Sequence, residues 1–243
     1  MGISMKVEVL YPNICNLFGD AMNAEYLRRA LPNAEFINTS LKERPRFADE
    51  NVDLIYMGSM TETGQSNVAQ ALLPHRARIQ ELINNGTVFL ITGNALEIFG
   101  KYIENEDGTR VETLGIFNLY AKRQMMRRYN SLYLGTFGEI EIVGFKSQFS
   151  HNYYVGEENV PALFETSRGA GRKPKQKEEG VRLSNFLATN VLGPLLPLNP
   201  LFARYILGLL GINDCELPYE QEAMASYEAR LREFKDPKTG SEY

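Results

Sequence analysis

The chain has 243 residues, 44% hydrophobic and 23% charged, an ordinary balance for a globular fold. Its formal net charge of −4 argues against a nucleic-acid binder, which asks for a basic surface. Two distant cysteines, Cys15 and Cys215, are too few for a disulfide scaffold or a cysteine zinc site; with no apolar leader and no run reaching the ~18 residues of a membrane span, a cytoplasmic protein without membrane insertion is expected.

Residues 6–10 alternate into a strand closed by Tyr11, Pro12 and Asn13. Asp20 is placed to cap a helix running to about Ala30, with Met22, Tyr26, Leu27 and Ala30 on its apolar face. Residues 34–37 give a second short strand, and residues 52–57 a third that ends at Gly58, Ser59 and Met60. A long helix is expected over residues 65–84. Asn85 and Gly86 then lead into TVFLITGNALEIFG, residues 87–100. The run 87–91 reads as a buried central strand, Thr92, Gly93 and Asn94 as a sharp turn, and Ala95 as the start of a helix. A strand entering a helix through a tight glycine turn is where α/β folds hold a nucleophile proud of the sheet, above a helix N-terminus. In this chain the tip of that turn is itself glycine.

The alternation of strands and helices predicts an α/β fold: a doubly wound, mostly parallel sheet flanked by helices. The second half is β-richer, with strands expected over 114–120, 131–134, 139–145 and 184–191 and a polar hairpin-like loop over 104–108. Residues 167–180, SRGAGRKPKQKEEG, read as a mobile, solvated surface loop; no aromatic residue interleaves the charges to suggest nucleic-acid stacking. A helix is expected over 200–210, and the tail from Glu216 reads as a peripheral surface helix. With no repeat and no dividing linker, the whole chain, 1–243, is expected to form a single domain.

Several segments resemble one family in order: LYPNICNLFGDAMNAEYLRR, LIYMGSMTETGQ, FLITGNALEIFGKY, LGIFNLY, GFKSQFSH and LGPLLPLNP. Together, over about residues 10–210, they look like class I glutamine amidotransferases of the cobyric acid synthase type. Within that family they resemble the GatD-type glutaminase subunits, which pair with a Mur-ligase-like, MurT-type synthetase to amidate lipid II. The resemblance implies a cysteine at the elbow that attacks the glutamine amide and a histidine that moves the protons, with backbone N–H groups aimed at the oxyanion.

Both chemical positions depart from that pattern. An ungapped match through Glu97 and Gly100 puts the cysteine position at Gly93, and counting back from Gly193 and Pro194 puts the histidine position at Leu192. Gln148 stands where GatD-like proteins carry a histidine, and Glu97 where the family carries a substrate-contacting glutamine. The resemblance keeps Arg127 as the residue that would hold a substrate carboxylate. Gly58, Ser59 and Met60 remain as the oxyanion-facing loop, and Asn94 and Glu97 as further binding candidates. Glu97 is expected either to pair with Arg127 or to lie on a helix surface.

Other candidates carry less chemistry. Thr92 has no base nearby in sequence and reads as a strand end; Cys15, after the first strand, reads as a small buried residue or a displaced thiol. His75 is expected to face solvent, and His151 is the one histidine expected near the cleft. Met125, Met126, Arg127 and Arg128 suit either a partner surface or a solvated turn. Neither a metal nor a cofactor is expected.

Three functions are open at this point. The first is a glutamine amidotransferase-like binding or regulatory subunit of a Mur-ligase-like synthetase, holding at most an amino-acid-like small ligand, with glutaminase activity absent. The second is an enzyme with chemistry relocated to Cys15, Thr92 or His151. The third is a glutaminase supplying ammonia for amidation of a cell-wall or cobyrinic-type substrate.

Overall fold

The computed structural model describes residues 5–156 and 160–240. Strands β1 (Lys6–Leu10), β2 (Glu35–Thr39), β3 (Leu54–Met57) and β4 (Val88–Thr92) alternate with helices α1 (Ala21–Ala30), α2 (Glu62–Leu72) and α3 (Arg76–Asn84). A second set of strands follows: β5 (Tyr102–Glu104), β6 (Arg110–Glu112), β7 (Leu119–Arg123), β8 (Tyr129–Phe137), β9 (Ile140–Gln148) and β10 (Ser150–Tyr154). Then come β11 (Phe164–Arg168), β12 (Glu178–Glu179), β13 (Val181–Leu183) and β14 (Phe186–Thr189), followed by α4 (Leu195–Leu198), α5 (Pro200–Leu209) and α6 (Glu220–Lys235).

The main sheet has the order β13-β14-β4-β3-β1-β2 and is parallel except for β13 at its edge. Its side chains alternate between two cores, as the two-residue period of a strand requires. Ile55, Met57, Phe89, Ile91, Phe186 and Ala188 face the core under α2 and α3; Leu54, Tyr56, Val88, Leu90 and Leu187 face the core of α1 and α5. A strand buried on both faces reads as a continuous apolar run, and VFLIT does. The expected doubly wound sheet is therefore present, and the β-rich second half forms two four-stranded sheets, β10-β7-β5-β6 and β12-β11-β8-β9.

Several elements differ from expectation. The helix expected over 65–84 is two helices, broken by a 3-10 turn at Leu73–His75, because Pro74 lacks the N–H that would continue the ladder. It begins earlier, at Glu62, where the Thr61 hydroxyl accepts from Gly64 N at 3.1 Å. The strand expected over 114–120 starts only at Leu119. The stretch before it donates to the carbonyls of the elbow instead: Leu114 N to Ile98 O at 2.9 Å, and Ile116 N and Phe117 N to Phe99 O at 3.0 Å.

The segment 167–180 is not a solvated loop throughout. Arg172 is 1% exposed and donates to the carbonyls of Gly180, Val160 and Pro161 at 2.7–3.1 Å. The tail helix is likewise only partly peripheral, since Tyr227 and Phe234 bury against Leu132, Leu134 and Val143 of β8 and β9. No helix among the described residues is long and apolar enough to cross a membrane.

Candidate functional site

The C-terminal ends of β1, β3, β4 and β14 open on one cleft, the position where doubly wound sheets place ligands. It encloses about 110 Å³ and is lined by Phe18 after β1, Ser59, Met60 and Glu62 after β3, Gly93 and Asn94 after β4, and Asn190 and Leu192 after β14. Ser147, Gln148, Phe149 and Ser150, where β9 passes into β10, close it with Arg128.

The elbow is present in backbone form. Thr92 is extended, Gly93 has φ +63°, and Gly93–Phe99 winds as a 3-10 helix rather than the α-helix its composition suggests. A Cβ built at Gly93 would stand 2.4 Å from the Ser59 Cβ and 3.1 Å from Leu192 Cδ2. The two positions that the resemblance reads as nucleophile and base are thus side by side, and Ser59 occupies the space above the elbow tip. Ser59 is fixed there: its N–H donates to Asp20 Oδ2 at 2.7 Å and its hydroxyl to Leu17 O at 2.9 Å. Leu192 is 2% exposed and is held by two backbone hydrogen bonds to Phe145 of β9, at 2.9 and 3.1 Å.

Two of the amides expected to face an oxyanion in the loop after β3 are already engaged. Ser59 N–H is spent on Asp20, and Met60 N–H donates to Asn94 Oδ1 at 3.0 Å while Asn94 Nδ2 donates back to Met60 O at 2.8 Å. Asn94 therefore stitches the loop to the elbow. Gly58 is required by close approach: a Cβ there would meet Cys15 O at 2.5 Å.

Asp20 is the buried acid beneath the cleft. It is fully buried, and its side chain makes none of the helix-cap bonds expected of it. It accepts from Ser59 N and from the Thr92 hydroxyl, the latter at 2.8 Å, and burial raises its pKa against the effect of those bonds. Thr92 thus does have a carboxylate beside it, unseen in the sequence because 72 residues separate the pair. Thr92 is also fully buried under the floor, with the Tyr56 hydroxyl at 3.3 Å.

Glu97 is neither a surface residue nor a partner of Arg127. It is 2% exposed; Ser150 Oγ donates to its Oε1 and Gln65 Nε2 to its Oε2, the latter at 2.8 Å. Gln65 Oε1 in turn accepts from Arg123 at 2.7 Å, so an amide stands between the carboxylate and the guanidinium. Burial raises the Glu97 pKa, and Ser150, Gln65 and Arg123 oppose it. Arg127 is exposed on the turn between β7 and β8 and lies outside the cleft wall; the arginine at the mouth is its neighbour Arg128, stacked 4.4 Å above the Phe149 ring.

Cys15 is 2% exposed, its sulfur lies 3.8 Å from that of Met60, and burial, with the Asp20 charge, pushes its thiol up to about 12. His151 is buried one step behind the cleft, its Nδ1 3.1 Å from Gln148 Nε2. Burial, with the charges of Lys146 and Arg127, pushes it down to about 4. His75 is half-buried, edge-on to Phe47. Among the described residues, no three His, Cys, Asp or Glu side chains are placed to hold a metal.

Residues 6–199 match the model of the CobB/CobQ-like glutamine amidotransferase domain. The chain belongs to that family. Among CobB/CobQ-like relatives it is 26% identical over 196 residues to the lipid II isoglutaminyl synthase (glutamine-hydrolyzing) subunit GatD of Staphylococcus aureus, covering 79% of this chain and 78% of the relative. The protein of the same name from Streptococcus pneumoniae is 24% identical over 206 residues, covering 80% and 76%. The fold is shared with solved glutamine amidotransferases. One has TM-score 0.57 at 17% identity, covering 85% of this chain and 99% of that one; a second, from Thermotoga maritima, has TM-score 0.53 at 12% identity, covering 96% and 93%.

The residues that sequence reasoning missed in this CobB/CobQ-like fold are Asp20 as a floor acid, Asn190, Ser150 and the place of Arg128 at the cleft. Asn190 donates to Gly93 O at 3.2 Å and accepts from Asn152 at 2.9 Å, tying β14 to the elbow. Its place just past the late strand was the available signal. Behind it lies a fully buried ion pair, Lys146 Nζ to Glu179 Oε1 at 3.1 Å, which no local pattern announced.

Proposed function

We propose that this chain is a glutamine amidotransferase-like subunit that no longer hydrolyses glutamine and acts on a Mur-ligase-like synthetase as a non-catalytic partner. The observation that carries the reading is at Gly93: a side chain at the elbow tip would collide with Ser59, which is pinned from two sides. Three further features agree with it. Leu192 puts an alkyl group where proton transfer would be needed, Asn94 holds the Met60 N–H, and the pocket is small. Acyl transfer needs nucleophile, base and free oxyanion donors together, and loss of one alone lowers rates by orders of magnitude.

The partner follows from the relatives, which are named as subunits of a lipid II isoglutaminyl synthase. A synthetase acting on a cell-wall precursor is the corresponding partner here, and the residual cleft has room for a small, amino-acid-like ligand. Relocated chemistry is disfavoured by the same geometry: Thr92 and Asp20 lie beneath the floor, and Cys15 is held as a buried thiol.

The test is ammonia release from glutamine by the purified chain, alone and with the Mur-ligase-like synthetase of the same cell. No turnover above background is expected in either case. The Gly93→Cys/Leu192→His double variant is expected to stay inactive, because Ser59 still fills the space over the elbow. Turnover by the wild-type chain at the rate of an ordinary glutaminase would overturn the reading.

A further inference from the structure

One side chain in the cleft is left half-used by the fold. Gln148 is 8% exposed and lines the cleft from the end of β9. A side-chain amide has two N–H donors and an acceptor oxygen. Gln148 Nε2 donates to Ser150 O at 2.6 Å and lies 3.1 Å from His151 Nδ1. Burial, with the charges of Lys146 and Arg127, pushes His151 down to about 4, so at neutral pH the ring is uncharged and its Nδ1 accepts. Both donors are therefore committed, and turning the amide over would set its oxygen against the Ser150 carbonyl. The Gln148 Oε1 is buried and has no hydrogen-bond partner among the described residues. A buried acceptor left in this way is costly and calls for an explanation in a native fold. Glu62 lines the same cleft from the first turn of α2. It is half-buried, and among the described residues only its backbone carbonyl is engaged, by Ser66 and Arg123. Donors are what the cleft lacks. The Ser59 and Met60 N–H groups, which an acyl oxygen would need, are held by Asp20 and Asn94.

We infer that the cleft binds a compact primary amine in its ammonium form, which donates to Gln148 Oε1 and is balanced in charge by Glu62. The inference deepens the subunit reading above and rests on it. The enclosed volume of about 110 Å³ is below the ~150 Å³ of a cavity that admits benzene, so the ligand has only a few non-hydrogen atoms. A carboxylate or an acyl oxygen in the same place would meet Gln148 Oε1 and Glu62 with no donor between them. Arg128, the cation of the lining, is exposed at the mouth on the Phe149 ring, so solvent screens it from a charge bound deeper. A water molecule answers Gln148 Oε1 but not the Glu62 charge, and the experiment separates the two.

The experiment titrates the full chain, labelled with 15N, with ethylamine hydrochloride and, in parallel, with tetramethylammonium chloride and with sodium propionate. It follows the side-chain amide signals of Gln148, identified as the pair missing from the Gln148→Met variant. Ethylamine is expected to shift that pair saturably. Tetramethylammonium, which has the charge but no N–H, and propionate, which has acceptors only, are expected to leave it in place. Glu62→Gln removes a carboxylate charge that no other side chain uses, and it is expected to weaken ethylamine binding roughly tenfold with the rest of the spectrum retained. A Gln148 pair unmoved by ethylamine, as for a cleft that holds only water, would overturn the site. So would equal binding of tetramethylammonium, binding of propionate in place of ethylamine, or an unchanged affinity in Glu62→Gln. With glutamine turnover absent, each of these outcomes leaves the subunit reading standing; turnover by the wild-type chain would remove that reading and the amine site with it.

Discussion

Glu97 shows how a single buried carboxylate can be read from the family pattern and still be misplaced by it. Burial raises its pKa from the ordinary carboxylate value, so the folded state prefers the protonated form. Its contribution to stability is then fully present below the unfolded pKa, about 4.5, and is lost as pH rises through the folded value. Glu97→Gln removes the buried charge and keeps an acceptor for Gln65 and a donor for Ser150. The variant is expected to be more stable than wild type at pH 8 by about 1 kcal/mol, with the gap narrowing at pH 5, as measured by urea unfolding at the two pH values. A variant less stable at pH 8 would mean that the carboxylate is held by more than Ser150, Gln65 and the distant Arg123. At this scale the spacing from GNALE and GPLLP points to Gly93 and Leu192, which the fold brings side by side. What surrounds them was not legible: Asn94 meets Met60 across 34 residues and Thr92 meets Asp20 across 72, and such pairings are set only by how the loops approach.

Among the elements, strands buried on both faces were readable, and segments held by single long side chains were not. The run VFLIT declared β4 by itself, and Pro74 gave a local reason for the broken helix that the apolar pattern on either side obscured. The segment 167–180 was misread because its composition is that of a loop while its geometry hangs on one residue. Arg172 reaches Gly180, Val160 and Pro161 carbonyls and the Tyr154 hydroxyl, and a guanidinium with its donors satisfied tolerates burial. Arg172→Ala would take the guanidinium donors from the Gly180 and Val160 carbonyls, while the Pro161 carbonyl keeps the Arg182 N–H at 3.1 Å, a loss of about 3 kcal/mol. The expected readout is faster tryptic cleavage at the exposed Lys175 and Lys177 with the main sheet retained by circular dichroism. Unchanged cleavage would show that the strand β12, and not Arg172, anchors the segment.

For the molecule as a whole, the fold stands independently of which side chains occupy the elbow. The sheet's stability comes from two apolar cores on either side of β4, and neither uses a group that catalysis would need. A third apolar cluster couples the distal sheet to the rest: α6 covers Leu132, Leu134 and Val143, and β9 runs on to bond the backbone of Leu192 at the cleft. We propose that this chain of contacts makes the protein unfold as one cooperative unit, tail helix included. Phe234 is 7% exposed in that cluster, and Phe234→Ala removes its ring, for an expected loss of about 3 kcal/mol. If α6 belongs to the cooperative unit, urea unfolding followed by far-ultraviolet circular dichroism and by tyrosine fluorescence stays a single coincident transition, with a lower midpoint and an unchanged slope. A peripheral helix would instead melt first, giving a small early transition and leaving the main midpoint where it was. The first outcome is expected, because detaching α6 would bare the apolar face of β8 and β9 next to the strand that holds Leu192 in place.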